Sequence, residues 1–351
     1  MSAQNKPTIL ITGASGMIGP LLAARLLSTD THRVVLTDVV APTVPPSVAH
    51  PENAVCIQAD LTNPAALEAL VAASQPLTAA FVFHGIMSAG SEADPALAMR
   101  VNFDATRALL THLASTNRGL RVVYASSNAV YGTPLPDLVT PATTPTPTGT
   151  YGATKYLCEV LVNDMTRRGL VDAYSVRFPT VSVRPGAPSN AASAFLSGII
   201  REPLAGLPCV VPIADRAFRA TLCTPRVCVE NLVRVLGWPA DKLPPHTRAL
   251  NFPGIVSSVQ EMLDALVRYG GEDKAGLVSF EEDEVKGRLL RSWAWNLDYS
   301  RELGLGLVQD ENTDQLVRDM VFIAPETAVA TAAALIGESS WIYYDRYRCR
   351  C

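Results

Sequence analysis

The sequence predicts a doubly wound α/β protein, a parallel sheet with helices on both faces, followed by a smaller, mostly helical C-terminal lobe. Two observations predict it. Through the first half of the chain, short β-rich runs alternate with segments whose apolar residues recur at three- and four-residue spacing. After Pro185 the alternation stops and helical periodicity dominates.

Strands are expected at 8–11, 34–37, 54–58, 79–83, 121–125 and 174–178, with helices between them at 18–28, 64–73, 93–116 and 151–168. Strand, helix and strand at this spacing form right-handed βαβ units, which set the strands parallel and cover the sheet on both sides. Residues 134–149, PLPDLVTPATTPTPTG, are too rich in Pro and Thr for regular structure. They read as a surface loop that either borders the active site or serves as a passive connector. Helices are expected in the lobe at 194–201, 226–236, 259–269, 284–295 and 312–322. A lobe that follows the sixth strand would cover the carboxyl ends of the sheet, where open α/β proteins bind ligands.

Composition narrows the class of partner. The 351 residues carry a formal net charge of -4, with 48% hydrophobic and 18% charged residues, and no block of Lys and Arg. Such a chain lacks the basic stripe that nucleic acid requires, so the expected partner is a small molecule. No run approaches the roughly 18 uninterrupted apolar residues of a membrane helix; 328–336 comes nearest. The N-terminal apolar run follows Pro7 and ends at Gly13, a first strand and not a signal peptide. A cytoplasmic protein is expected. Seven cysteines (Cys56, Cys158, Cys209, Cys223, Cys228, Cys349, Cys351) form no C-x-x-C pair, which reads as free thiols in a reducing compartment and no metal site.

Residues 9–19, ILITGASGMIG, place three glycines at the junction of the first strand and first helix. Gly13 permits the tight turn, Gly16 lets backbone approach a pyrophosphate, and Gly19 lets the helix pack on the strand. Asp38 ends the second strand, where a carboxylate hydrogen-bonds adenosine ribose hydroxyls and repels a 2'-phosphate. No Arg follows it, so the cofactor expected on this Rossmann-type sheet is NAD. Asp60 and Leu61, after the third strand, are set to contact the adenine, although Asp60 could equally cap the next helix.

The chemistry is expected at Tyr151-Gly-Ala-Thr-Lys155. Four-residue spacing puts phenol and ammonium on one helical face, and a cation favours the phenolate that a tyrosine base requires. The fifth strand runs into Ser126-Ser127, which brings the Ser127 hydroxyl to the sheet's carboxyl edge as a holder of the substrate oxygen. Together these features divide the chain into an NAD-binding domain at 1–184, with strand and helix contributions returning from 222–256, a substrate lobe at 185–324, and a tail at 325–351 that packs on the lobe or mediates oligomerisation.

The runs GASGMIG, Asp60-Leu61, SSNAVYG and YGATK, in this order, resemble the extended short-chain dehydrogenase/reductase family. More narrowly, Met99-Arg-Val-Asn102, Phe178-Pro-Thr-Val-Ser-Val-Arg184-Pro-Gly186 and Ser197-Gly-Ile-Ile-Arg201 are similar to its D-erythronate dehydrogenase group, over residues 7–323. The resemblance implies NAD-dependent oxidation of the C2 hydroxyl of a four-carbon sugar acid to a 2-keto acid. It implies Ser127, Tyr151 and Lys155 as the catalytic set, with Asn102 distorting its helix and holding Lys155 through water. Gly13, Ser15, Gly16, Met17, Ile18, Gly19, Asp38, Asp60 and Leu61 are implied around the adenosine and phosphates. Tyr151 and Lys155 are implied at the nicotinamide ribose and Pro179 and Thr180 near the carboxamide, with His84 and Gly85 as further cofactor-binding residues. A homodimer through helices 93–116 and 151–168 is implied too; Leu157, Val160, Leu161 and Met165 suit such a contact or, equally, ordinary packing on the sheet.

A sugar acid needs an anion clamp, for which Arg184 and Arg219 are the candidates, and Ser88 could contact substrate hydroxyls. Residues 84–87, HGIM, depart from the group's His-Leu-Ala-Ala run, which leaves open a related polyol acid or a natural-product intermediate as substrate. A nucleotide-sugar 4,6-dehydratase would need Asp-Glu where Asn128-Ala129 stands. A nucleotide-sugar epimerase, using the same Ser, Tyr and Lys, survives that test. A non-catalytic NAD sensor would have no need of the tuned phenol.

Overall fold

A computed structural model describes residues 6–184 and 192–323; the tail at 325–351, with Cys349 and Cys351, lies outside the described residues. Contacts divide the chain into two units. One takes the residues up to Val181 together with 221–254 and 291–310, and the other takes 182–220, 255–290 and the segment after 310.

The first unit is built on strands β1 (Thr8–Thr12), β2 (Arg33–Asp38), β3 (Ala54–Gln58), β4 (Leu77–Val82), β5 (Leu120–Ser127) and β6 (Val171–Phe178). A seventh, Ala249–Asn251, pairs in parallel with β6 at the sheet edge, giving the order Ala249–Asn251, β6, β5, β4, β1, β2, β3. The order reverses between β1 and β4, and this switch point opens a crevice at the carboxyl ends of the strands. All five residues of β1 are buried, as a central strand covered on both faces requires.

Strand alternation sorts the core into two layers. Ile9 and Ile11 face helix α1 (Ile18–Leu26) and the helix Pro225–Leu236, through Leu22, Leu26, Leu232 and Val235. Leu10 and Val122 face helix α2 (Pro64–Ala73) and later helices on the opposite side, through Leu67, Leu70, Leu109 and Val162. A period of two along each strand is what separates these sets.

The segment expected as one helix at 93–116 is broken. Helix α3 (Ser88–Ala93) ends at Asp94, whose side chain accepts the Leu97 N–H (2.9 Å) and caps the short helix α4 (Pro95–Ala98). Pro95 has no N–H to extend α3, so the chain restarts there. A π-helical turn, Met99–Asp104, then leads into helix α5 (Ala105–Thr116). Helix α6 (Thr150–Arg167) carries the Tyr151 and Lys155 motif. Helix 284–295 is likewise shorter than expected, stopping at Arg291, and 291–310 packs within the first unit.

In the second unit the helices Phe195–Leu204, Val259–Gly270 and Thr313–Ile323 pack against one another. Cys209–Val211 and Val278–Phe280 pair in parallel beside them. Ser258 opens Val259–Gly270 with a capping box: its hydroxyl accepts the Glu261 N–H (3.1 Å), and the Glu261 carboxylate accepts the Ser258 N–H (2.6 Å). Among the described residues no helix is long and apolar enough to cross a membrane.

One buried polar network ties α6 to the sheet. Glu159 accepts from Arg177 Nε (2.8 Å) and Nη2 (2.6 Å), and from the Ser126 hydroxyl; Arg177 also donates to the Tyr131 hydroxyl, which donates to Asn251 (3.0 Å). Glu159 and Arg177 are 1% and 6% exposed, so neither charge has water as an alternative partner. Glu159→Gln should therefore lower the unfolding free energy by about 3–5 kcal/mol, the usual cost of breaking a buried pair. Urea denaturation measures it, and a joint Glu159→Leu, Arg177→Met variant should recover much of the loss.

Candidate active site

The crevice is assembled from the ends of β1, β4 and β5 and the start of α6. Gly13 follows β1 with φ +66°, and a Cβ there would lie 2.6 Å from the His84 nitrogen, so only glycine fits. The Gly16 N–H donates to the Gly13 carbonyl (3.1 Å), closing the turn through Ser15. A Cβ on Gly19 would come 2.7 Å from Ala14 Cα, so this glycine sets how closely α1 approaches the strand. Met17 precedes α1 and Ile18 opens it. Asp38 closes β2, and its carboxylate accepts the Ser15 N–H (2.9 Å), fixing the glycine turn relative to the second strand.

Asp60 folds back on its own segment, accepting the Thr62 N–H (2.9 Å) and hydroxyl (2.7 Å). The cap of α2 is Asn63, which accepts from Ala65 and Ala66, so helix capping is not what Asp60 does. Leu61 is half-buried against the α2 core layer.

After β4, the ring of His84 is held at both nitrogens, by the Thr12 hydroxyl at Nδ1 (2.9 Å) and the Thr106 hydroxyl at Nε2 (3.1 Å). Desolvation, with the Lys155 ammonium nearby, pushes its pKa down to about 3. It is a neutral imidazole that orients the loop. Gly85 follows; a Cβ on it would lie 3.1 Å from the Asn102 amide oxygen and 3.6 Å from Lys155 Nζ.

Asn102 sits in the π-helical turn, 1% exposed. Its amide oxygen accepts the Ile86 N–H (2.7 Å), and its amide nitrogen donates to the Ile86 carbonyl (3.1 Å) and the Thr154 hydroxyl (3.2 Å). The Asn102 side chain thus joins the loop after β4 to α6, and its backbone carbonyl accepts the Cys158 thiol (3.3 Å). Lys155 Nζ donates to the Ala125 carbonyl (2.8 Å). Burial lowers the pKa of Lys155 to about 8. Its nitrogen stands 5.6 Å from the ring centre of Tyr151, which is itself buried.

Ser127 ends β5 half-buried, its hydroxyl accepting the Ala129 N–H (3.1 Å) at the head of a short 3-10 turn, Asn128–Val130. That turn touches α6. A Cβ on Gly152 would lie 2.0 Å from the Ala129 carbonyl oxygen, so the glycine beside Tyr151 is what lets the two segments meet. Pro179 and Thr180 follow β6, and Thr180–Val181 pairs in parallel with Arg219–Cys223, with Thr180 opposite Leu222.

Three groups were not anticipated from sequence. Glu92 accepts the Thr150 N–H (2.6 Å) from across the loop and caps α6, whose own N-cap, Gly149, has no side chain. Ser88 opens the same short helix as Glu92, one turn earlier. The Glu159 and Arg177 pair is the second, and Tyr124, whose ring meets Lys155, is the third. An acid four residues after Ser88 was the only available signal for Glu92, since pairing across a loop leaves no periodicity.

The two arginines lie in the second unit. Arg184 donates from its guanidinium to the Ser193 hydroxyl (3.2 Å) and through its backbone to Ser197 (3.1 Å), while Arg201 holds its carbonyl (2.9 Å). Arg219 is exposed and lines a cavity of about 400 Å³ with Arg216, Ser258 and Gln260.

Residues 9–220 match the NAD dependent epimerase/dehydratase family. The chain belongs to this family. It is accordingly an NAD-dependent oxidoreductase of the extended short-chain dehydrogenase/reductase type. It is 35% identical over 317 residues to the D-erythronate dehydrogenase of Haemophilus influenzae, covering 89% of this chain and 98% of that protein. It is 37% identical over 322 residues to the D-erythronate dehydrogenase of Cupriavidus necator, covering 88% and 96%. Among solved structures it is similar to a nucleoside-diphosphate-sugar epimerase from Agrobacterium tumefaciens, with a TM-score of 0.83 and 32% identity over 90% of this chain and 94% of that one.

The depressed His84 pKa carries a stability consequence for this family member. Between the ordinary value of 6.5 and about 3, the unfolded chain binds a proton at His84 that the folded chain does not. Stability should then fall as pH drops through this window, by about 1.4 kcal/mol per unit from this group alone. His84→Gln should flatten that part of the profile in urea unfolding at pH 4–7, and an unchanged slope would remove the assignment.

Proposed function

We propose that this protein oxidises a secondary hydroxyl of a small polyhydroxy acid, D-erythronate or a close analogue, at C2 to the 2-keto acid. The observation that carries the reading is the meeting of Tyr151, Lys155 and the Ser127 turn at the sheet's carboxyl edge, in a chain that aligns with nearly the full length of two D-erythronate dehydrogenases.

The residues fit a dinucleotide. The glycine turn offers a helix N-terminus without a side chain at Gly13, Gly16 or Gly19, and Asp38 stands beside it as the ribose carboxylate. NAD, when bound, supplies the acceptor for the hydride of the carbinol carbon. Tyr151 removes the hydroxyl proton as the phenolate, Lys155 stabilises that phenolate by charge, and the Ser127 hydroxyl donates to the developing carbonyl oxygen. Asn102 ties the loop after β4 to α6, and His84 ties it to β1 and α5, through hydrogen bonds. Ser88 contributes to substrate hydroxyls and Pro179-Thr180 to the carboxamide end.

For the substrate carboxylate we favour Arg219 over Arg184, because Arg219 lines a cavity beside a second guanidinium, Arg216. Leu157 and Val160 leave α6 as exposed apolar side chains, 42% and 53% accessible, and suit a homodimer contact through α5 and α6; Met165 is core instead. A cytoplasmic location accords with the free thiols.

Absorbance at 340 nm, followed with NAD and a panel of four- to six-carbon aldonic acids, tests the chemistry. Reduction should occur with the four-carbon acid and fall at least a thousandfold in Tyr151→Phe. A folded protein that purifies with NAD and shows no net reduction would indicate epimerisation instead. Arg219→Ala should raise the KM for the acid about 100-fold with the KM for NAD unchanged, as loss of a charge-assisted pair predicts. Sedimentation of Leu157→Lys, Val160→Glu should shift a dimer to monomer.

A further inference from the structure

Lys155 is 4% exposed, and its ammonium makes one hydrogen bond, to the Ala125 carbonyl. Two aromatic rings complete its surroundings. Tyr151 lies 5.6 Å away and Tyr124, from β5, lies closer, 5.0 Å from nitrogen to ring centre. Tyr124 is fully buried, and its hydroxyl interacts with the neighbouring Cys158 thiol. What Tyr124 offers the site is a ring, whose negative face attracts a cation most strongly where water is excluded.

We propose that Tyr124 is a positioning residue for the reaction: its ring holds the Lys155 ammonium at the edge of β5 and keeps it charged opposite Tyr151. The proposal rests on the Tyr151 and Lys155 chemistry given above and adds to it a residue two positions before Ser126. The other titratable groups facing Lys155 are His84 from the loop after β4, and Tyr151 and Cys158 from its own helix. His84 is neutral through the working range, Cys158 donates its proton to Asn102, and Glu159 is held by Arg177. Among the described residues the groups that favour the cation are the Ala125 carbonyl, the Cys158 sulfur and the aromatic face. Burial acts against them, drawing Lys155 down to about 8, so the ring's contribution falls where the ammonium begins to be lost.

The chain has five lysines, few enough to follow one by one. The test is carbon-13 NMR of the full-length protein labelled at lysine Cε, titrated from pH 6 to 11 with and without NAD, using Lys155→Arg to assign the signal. No substrate is needed, so the result stands apart from whether the aldonic acid panel succeeds. Tyr124→Phe keeps the ring and should leave the Lys155 midpoint within a few tenths of a unit of wild type. Tyr124→Leu removes the ring and should lower the midpoint by about one pH unit. Where Tyr124→Leu unfolds, fluorinated phenylalanines introduced at position 124 weaken the ring's negative face at nearly constant shape, and the midpoint should fall in step with fluorination. An unmoved midpoint in a folded Tyr124→Leu variant or across the fluorinated series would overturn the proposal. So would an equal shift in Tyr124→Phe, which would assign the effect to the hydroxyl.

Discussion

The site depends on keeping a charged ammonium where water cannot reach it. Burying an unpaired cation in a protein interior is costly, and proteins usually neutralise such a group or pair it with a carboxylate. Lys155 has neither solution. It donates to one carbonyl at the end of β5 and sits against two aromatic rings, an environment that solvates the charge without cancelling it. Each segment around it is fixed to the next by a separate polar contact. Asn102 holds the loop after β4 to α6, Glu92 caps the first turn of α6, and the Glu159 and Arg177 pair holds its middle to β5 and β6.

The break in the segment 88–116 belongs to the same constraint. A continuous helix from Ala93 would satisfy its own backbone and leave Asn102 facing along a regular surface. The π-helical turn displaces that register by one residue, which brings the Asn102 amide onto both backbone groups of Ile86. The neutral state of His84 then has a structural reason. Its nitrogens link Thr12 at the end of β1 to Thr106 on α5, and a protonated ring there would add a second cation beside Lys155.

Much of the frame was legible in the residues because it rests on local chemistry. The glycine turn, the carboxylate closing β2 and the Tyr151 to Lys155 spacing each occupy a few consecutive positions, and each needs a residue type that few alternatives supply. Six strands of the main sheet are readable from β-branched runs, but the seventh, Ala249–Asn251, has three residues and no alternation to display. The return of 291–310 to the first unit is invisible for a similar reason: Val139 exchanges backbone hydrogen bonds with Asn296 and Asp298 through main-chain atoms, which carry no sequence signature. The partners of Arg177 and Glu92 lie far along the chain, and a lone charged residue in a sequence reads as solvent-facing until its partner is placed.

Charge pairing along α6 bears on the role proposed for Lys155. Lys155 and Glu159 stand four residues apart, the spacing at which an isolated helix would pair them. Such a pair would hold the ammonium to a carboxylate and leave less of its field for the Tyr151 phenolate. Here Glu159 is occupied twice over, by the guanidinium of Arg177 from β6 and the hydroxyl of Ser126 from β5. Arg177 is the better partner for a buried carboxylate, because its planar fork satisfies both oxygens where a lysine would satisfy one. Desolvation alone would make Arg177 easier to deprotonate, and its bonds to Glu159 outweigh that and raise its pKa instead. The acid that could have paired with Lys155 is thus consumed by the cation that holds α6 in place, which leaves Lys155 for the role proposed for it.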